Sequence, residues 1–376
     1  MVSRAAGCYD EDMPVLIPAI VVTAALFALY RYYPPFGGRP GTAHKKRASR
    51  SANFTKGKFV NYLPTSMQSQ PGDTSSMIRD LLRKNPTSRP PRPLELTVPK
   101  HDANDTPQVS WLGHSTVLLR LQGKNILFDP VFGKAASPFT FAGPKRFRAL
   151  KAIQLQDLPP IDVVCVSHDH YDHLDYFTVK RLKRTVRMFF VPLGVGAHLE
   201  RWGVDAARIT ELDWWEESTF AGLRFACTPS RHFSGRTLTD RFKTLWCSWV
   251  VTDGKINLFF SGDTGYGPHF KKIGKRYGPF DLTLLECGQY DYRWPNVHMM
   301  PEQTAVAHAD LRGKRLLPMH WGTFRLAFHG WSESVERVLV AAQKTGIQVT
   351  TPRIGETVPV VGTVFPVDHW WEAYKS

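Results

Sequence analysis

Between Ser167 and Asp175 the chain reads SHDHYDHLD, three histidines and three aspartates in nine residues, directly after the apolar run IDVVCV. Farther along, His232 follows FACTPSR, Asp263 follows LFFSG and His320 follows LLPM, each at the C-terminal end of an apolar run. Imidazole mixed with carboxylate, and no thiolate adjacent, is a donor set for zinc, iron, manganese or nickel. A merely hydrogen-bonded polar loop of this kind would be costly to desolvate. One tetrahedral ion takes about four ligands. His168, His170, Asp172, His173, His232, Asp263 and His320 offer seven, enough for two ions that share a carboxylate and keep positions open for water.

Such residues, far apart in sequence, meet only if strand ends converge, as they do at the carboxyl edge of parallel strands. The texture from Gln108 onward supplies those strands. VSWLGHSTVLLRLQGKNILFDPVF reads as three strands, and IDVVCVS, MFFVPLG, GLRFACTPS, TLWCSWVVTDG, KINLFFSGD, DLTLLECG and RLLPMHWG as seven more. DYFTVKRLKR, VGAHLERWG, MPEQTAVAHADL and SESVERVLVAAQKTG read as helices. Strands grouped early and then mixed with helices predict sheets packed together with helices outside.

The N-terminal third differs. MPVLIPAIVVTAALFALYRYY, from Met13 to Tyr33, is uncharged until Arg31, which predicts a membrane anchor over residues 1–33. Its leading flank is acidic (Asp10, Glu11, Asp12), against the basic start of a secretory signal. Basic residues follow, from Arg31 to Lys58, which places the rest of the chain on the cytoplasmic face. Residues 34–100 have the Pro, Ser and Lys/Arg composition of a linker, with one short helix expected at Ser75–Lys84. Residues 101–376 are expected to form the domain that carries the His/Asp cluster. The net charge of +15 invites anionic partners. No zinc-finger spacing, RNP-like run or G-K-[ST] loop points to nucleic acid, so an anionic membrane surface is the expected partner. The five cysteines are odd in number and scattered in apolar runs, which predicts reduced buried thiols. Oligomeric state is not readable.

The metal motif, together with WLGHSTVLL, DPVFGKAASPFTFAGPKRFR, TPSRHFSGRTLTDRFKTLWCSW, SGDTGYGPHFKKIGKRYGPFDL and MHWGTFRLA, resembles the metallo-β-lactamase superfamily. Within it the chain is most similar to the N-acyl-phosphatidylethanolamine phospholipase D branch. The resemblance covers most of Gln108 to Glu356. It implies an αββα sandwich, two mixed β-sheets between helices, carrying two metal ions, expected as zinc with manganese or iron as alternatives. His168, His170 and His232 then fall on the first ion, Asp172, His173 and His320 on the second, and Asp263 bridges. His298 matches a family histidine beside the metals. LLECGQYDYRW, ahead of it, departs from the phospholipase pattern and looks like a bacterial side branch.

The implied activity is hydrolysis of N-acylphosphatidylethanolamine-like phospholipids to N-acylethanolamine and phosphatidate by a metal-bridging hydroxide. His298 is the candidate acid for the leaving oxygen. Asp129 and Asp175 are candidate acceptors that orient ligand imidazoles, although Asp175 could instead cap a helix. Lys145, Arg146 and Arg148 are candidate phosphate contacts, and Tyr171 and Tyr266 candidate lining of the mouth. Glu286 ends an apolar strand nearby, facing either substrate or a buried arginine. A lactonase or ester hydrolase is the alternative on this scaffold, and a non-catalytic metal-binding scaffold a more distant one.

Overall fold

Short β-branched and aromatic runs punctuated by glycine build two sheets in this protein, whose computed structural model describes residues 13–66, 72–83, 85–100 and 106–375. The first third forms α1 (Met13–Tyr32), α2 (Thr42–Ala48), a small hairpin of β1 (Phe54–Thr55) and β2 (Lys58–Phe59), and α3 (Asp73–Leu82). Next come β3 (Gln108–Trp111), β4 (Val117–Leu121), β5 (Lys124–Phe128), β6 (Val163–Cys165), α4 (Tyr176–Leu182), β7 (Met188–Pro192), α5 (Gly196–Arg201) and β8 (Ile209–Leu212). The remainder is β9 (Glu217–Phe220), β10 (Leu223–Thr228), β11 (Ser248–Thr252), β12 (Asn257–Phe260), α6 (His269–Tyr277), β13 (Leu282–Glu286), α7 (Pro301–Asp310), β14 (Leu316–Met319), α8 (Glu333–Thr345) and β15 (Thr357–Pro359).

One sheet runs β15-β3-β4-β5-β6-β7-β8 and the other β14-β13-β12-β11-β10-β9. Side chains alternate across each strand, and this sorts the core. Val117, Leu119 and Leu121 of β4 join Phe225, Trp249 and Phe260 of the facing sheet, while Leu118 packs in a second cluster with Val179 and Leu182 of α4 and Leu199 of α5. Phe128 stacks on Phe260 at 4.7 Å and Phe190 on Phe225 at 4.4 Å, so the two sheets meet face to face. Strands β5 to β8 are parallel, and so are β12 to β14. Their C-terminal ends therefore lie at common edges, the convergence that the strand-end residues require. Cys165, Cys227, Cys247 and Cys287 are buried free thiols, as expected; Cys8 lies outside the described residues.

The N-terminal third differs from its expectation. Among the described residues no helix is long and apolar enough to cross a membrane, so the expected anchor is not found. The end of α1 is instead tied to the domain. The Tyr30 hydroxyl meets those of Thr237 and Thr239, and Arg201 donates to the carbonyls of Arg31 and Tyr32 at 3.2 and 3.1 Å. The stretch expected as a linker also lies against the domain: Ala48, Phe59 and Leu94 are part of the main core. His44 sits between Glu200 and Glu211 at 3.2 and 3.1 Å, and Arg47 pairs with Glu216. Linker-like composition records local freedom only, and these partners are 150 residues or more away in sequence. The short helix in this region, α3, starts and ends two residues earlier than expected, after a left-handed Gly72 and without a side-chain cap.

Candidate metal centre

All seven expected ligands converge. His168, His170, Asp172 and His173 lie in the loop after β6; His232, Asp263 and His320 follow β10, β12 and β14. His168 Nε2 is 2.9 Å from His170 Nδ1, and His232 Nε2 is 3.3 Å from the same atom. On the other side His173 Nε2 and His320 Nε2 are 3.3 Å apart, and each is 3.4 Å from Asp172 Oδ2. Asp263 stands between the two sets. Its Oδ2 is 3.1, 3.8 and 4.0 Å from the Nε2 atoms of His173, His232 and His168, and its Oδ1 is 3.1 Å from His320 Nε2.

The electrostatics suit cations. Burial pushes the imidazoles of His168, His170 and His232 below their ordinary value, towards the neutral form that binds metal. Burial pushes the carboxyls of Asp172 and Asp263 up, but the surrounding imidazoles, His173 foremost, hold both well below the usual range and ionised. Asp263 Oδ1 is buried and has no hydrogen-bond partner among the described residues. An orphaned carboxylate oxygen is costly unless something cationic faces it. His168/His170/His232 and Asp172/His173/His320 each bring their ligand atoms within 4.8 Å of one another, close enough to hold an ion. The donor set therefore fits two divalent ions of borderline softness.

Backbone groups and buried acceptors fix the ring orientations. Asp129 Oδ2 lies 2.7 Å from His173 Nδ1, and Asp129 also accepts from Ser167 N and Oγ, both at 2.6 Å. His232 Nδ1 is 2.9 Å from the Val297 carbonyl oxygen, which leaves Nε2 for the cluster. Asp129, His114 and His320 adopt φ of 40°, 51° and 70°. Left-handed backbone at non-glycine residues costs on the order of 1–3 kcal/mol each and concentrates at functional sites.

His298 also reaches the cluster, with Nε2 4.0 Å from Asp263 Oδ2 and Nδ1 3.6 Å from Glu286 Oε1. Burial works against its charge, yet Glu286 and Asp263 raise its pKa above the ordinary value. Glu286 is fully buried and faces this histidine, not an arginine.

Other expected residues point elsewhere. Asp175 caps α4, accepting from Phe177 N and Thr178 N at 3.2 Å, and orients no imidazole. Arg146 donates to the carbonyls of Gly133 and Val131 at 3.1 and 2.6 Å and lies over Phe324, so it braces its own loop. Lys145 and Arg148 are exposed. The hydroxyls of Tyr171 and Tyr266 donate to the Arg236 carbonyl and to Asp310 at 2.6 and 2.7 Å. None of these six lines the cavity of about 310 Å³ above the cluster.

Residues not singled out from the sequence do belong to the site. His114 is buried 2.9 Å from Asp172 Oδ2 and 4.1 Å, ring to ring, from His320; burial and His320 push its pKa down to about 3. It lies just past β3, and the strand-end rule that found the other ligands would have found it. Arg293 lines the cavity with Met77 of α3, and its guanidinium is held by Asp291 and Asp80 at 2.6 and 3.0 Å.

Comparison with known proteins agrees with this geometry. The family model described as beta-lactamase superfamily domain matches residues 124–321. The chain belongs to the beta-lactamase superfamily. It is 39% identical over 250 residues to N-acyl-phosphatidylethanolamine-hydrolyzing phospholipase D 1 of Caenorhabditis elegans, covering 61% of this chain and 70% of the worm protein. An uncharacterized protein of Mycobacterium tuberculosis is 44% identical over 331 residues, 86% of this chain and 88% of its own length. A metallo hydrolase structure from Ignicoccus hospitalis superposes with a TM-score of 0.53 at 23% identity, over 69% of this chain and 100% of that one. This superfamily member is thus a hydrolase of the metallo-β-lactamase fold, in the branch that includes the phospholipases D.

Proposed function

We propose that the protein is a two-zinc phosphodiesterase of phospholipase D type, hydrolysing N-acylphosphatidylethanolamine-like phospholipids to N-acylethanolamine and phosphatidate. The observation that carries this reading is Asp263, one buried carboxylate whose Oδ2 lies 3.8 and 4.0 Å from His232 and His168 of one ligand set and 3.1 Å from His173 of the other. When bound, a metal pair supplies Lewis acidity and an activated water. The protein's own groups do the rest. His168, His170, Asp172, His173, His232, Asp263 and His320 hold the ions; Asp129 and His114 fix His173 and Asp172. His298 turns Nε2 to the cavity, where it protonates the ethanolamine oxygen as the P–O bond breaks.

Lipid access supports the same reading. Met77, Ile78, Leu81 and Leu82 form one stripe of α3, are 36, 54, 69 and 76% exposed, and begin at the cavity through Met77. With the net charge of +15, this ridge suits peripheral contact of the mouth with an anionic leaflet. One observation favours the alternative, a lactonase or ester hydrolase: Arg293 is already neutralised by Asp80 and Asp291, so the cavity offers a substrate anion little cationic charge beyond the ions. A panel of phospholipids and lactones, given to purified protein with and without chelator, separates the two. Chelator-sensitive release of N-acylethanolamine and phosphatidate supports the proposal; lactone opening with no lipid turnover supports the alternative.

A further inference from the structure

His298 forms part of the cavity wall, its ring stacked on that of His320 at 5.3 Å and 12° and edge-on to His232 at 5.2 Å. Nε2 faces Asp263 and the cavity; Nδ1 faces inward, 3.6 Å from Glu286 Oε1. Glu286 is the last residue of β13, and its side chain is 0% exposed. Oε1 accepts from Met299 N at 2.8 Å, while Glu286 Oε2 and His298 Nδ1 have no hydrogen-bond partner among the described residues. The only ion-pair partner of this buried carboxylate among those residues is His298. The backbone around it is tied down: Glu286 N donates to Ser261 Oγ at 3.0 Å and Thr304 Oγ1 to the Glu286 carbonyl at 2.9 Å.

The same device stands closed a few ångströms away. Asp129 holds His173 by Nδ1 at 2.7 Å and leaves Nε2 3.1 Å from Asp263. Glu286 and His298 repeat that arrangement from the other sheet, at a spacing that a small rotation of either side chain closes; hydrogen bonds of this kind commonly tighten when substrate arrives. We propose that Glu286 is the positioning residue for His298, holding the ring through Nδ1–H so that Nε2 is presented to the leaving oxygen of the substrate. The orientation stands on the geometry alone; its use in leaving-group departure rests on the phosphodiesterase reading. Glu286, His298 and His320 are also close enough together to hold an ion, and the experiment distinguishes that role.

The test uses full-length protein loaded with zinc and labelled with ¹⁵N-histidine, as wild type, Glu286→Gln, Glu286→Asp and His298→Ala, the last to assign the His298 signals. Two-bond proton–nitrogen spectra of wild type should show His298 protonated at Nδ1, with a second proton on Nε2 in the acid form that serves the leaving oxygen, and Glu286→Gln should shift or erase the Nδ1 signature at unchanged metal content. On phosphodiesters, Glu286→Gln should lower kcat about tenfold or more for an alkyl leaving group, with little change in KM, and spare p-nitrophenol, which leaves without a proton. Glu286→Asp should restore part of the loss, and it is read in the same spectra should Glu286→Gln not fold. Unchanged His298 signals in both variants, equal loss for both leaving groups, or loss of a metal equivalent would overturn the proposal. Wild type inert towards every phosphodiester would refute the phosphodiesterase reading instead, and the spectra would still decide the orientation.

Discussion

Asp263 is the residue on which the site turns, because its Oδ2 faces imidazoles of both sets, His168 and His232 on one side and His173 on the other. Asp263→Asn puts an N–H donor where an acceptor faced the ligands. Replacing even an outer partner of a metal ligand costs roughly 10–100-fold, so this variant should lose more than about 100-fold in turnover and much of its bound metal. Elemental analysis with circular dichroism checks it; near-wild-type metal and turnover in a folded variant would refute the shared-ligand role. The convergence of the seven candidate ligands was legible in the sequence because they sit at or just past strand ends. The cations were not. Arg146 looked like a phosphate contact, but backbone carbonyls of its own loop take its donors. Sequence shows that a side chain is charged, not which way it turns.

At the scale of elements, the N-terminal arm carries a pH signature. The hydrogen bond to Glu211 raises the His44 pKa to about 9, against burial and with help from Glu200. A raised folded-state value stabilises fully below the ordinary value of about 6.5 and is lost as pH climbs through about 9. The Tm gap between wild type and His44→Gln should therefore be widest near pH 6 and close by about pH 10; a gap independent of pH would remove His44 from the clasp. The ridge of α3 makes a second prediction. Burying one leucine is worth about 1.5–3 kcal/mol, so Leu81→Asp with Leu82→Asp should weaken vesicle binding by tenfold or more and leave hydrolysis of a soluble ester intact. Unchanged co-sedimentation with vesicles would exclude α3 from the membrane contact. The core strands and the helices α4, α5, α7 and α8 were legible from apolar periodicity. Strands β8 and β9 were not: ITEL and ESTF are half-exposed, and they are strands because β7 and β10 pair with them.

For the molecule as a whole, a net charge of +15, an apolar ridge at the mouth and one carboxylate shared between two ligand sets support the proposal of an enzyme that works at an anionic lipid surface. The most direct test of that account is where water's oxygen ends up. Purified protein is incubated with N-acylphosphatidylethanolamine in ¹⁸O-water and the products are resolved by mass spectrometry. Attack at phosphorus should place one ¹⁸O in the phosphate of phosphatidate and leave the N-acylethanolamine unlabelled, with no product when chelator is present. Label in a released fatty acid, with the phosphodiester intact, would show an ester hydrolase and contradict the phospholipase D reading.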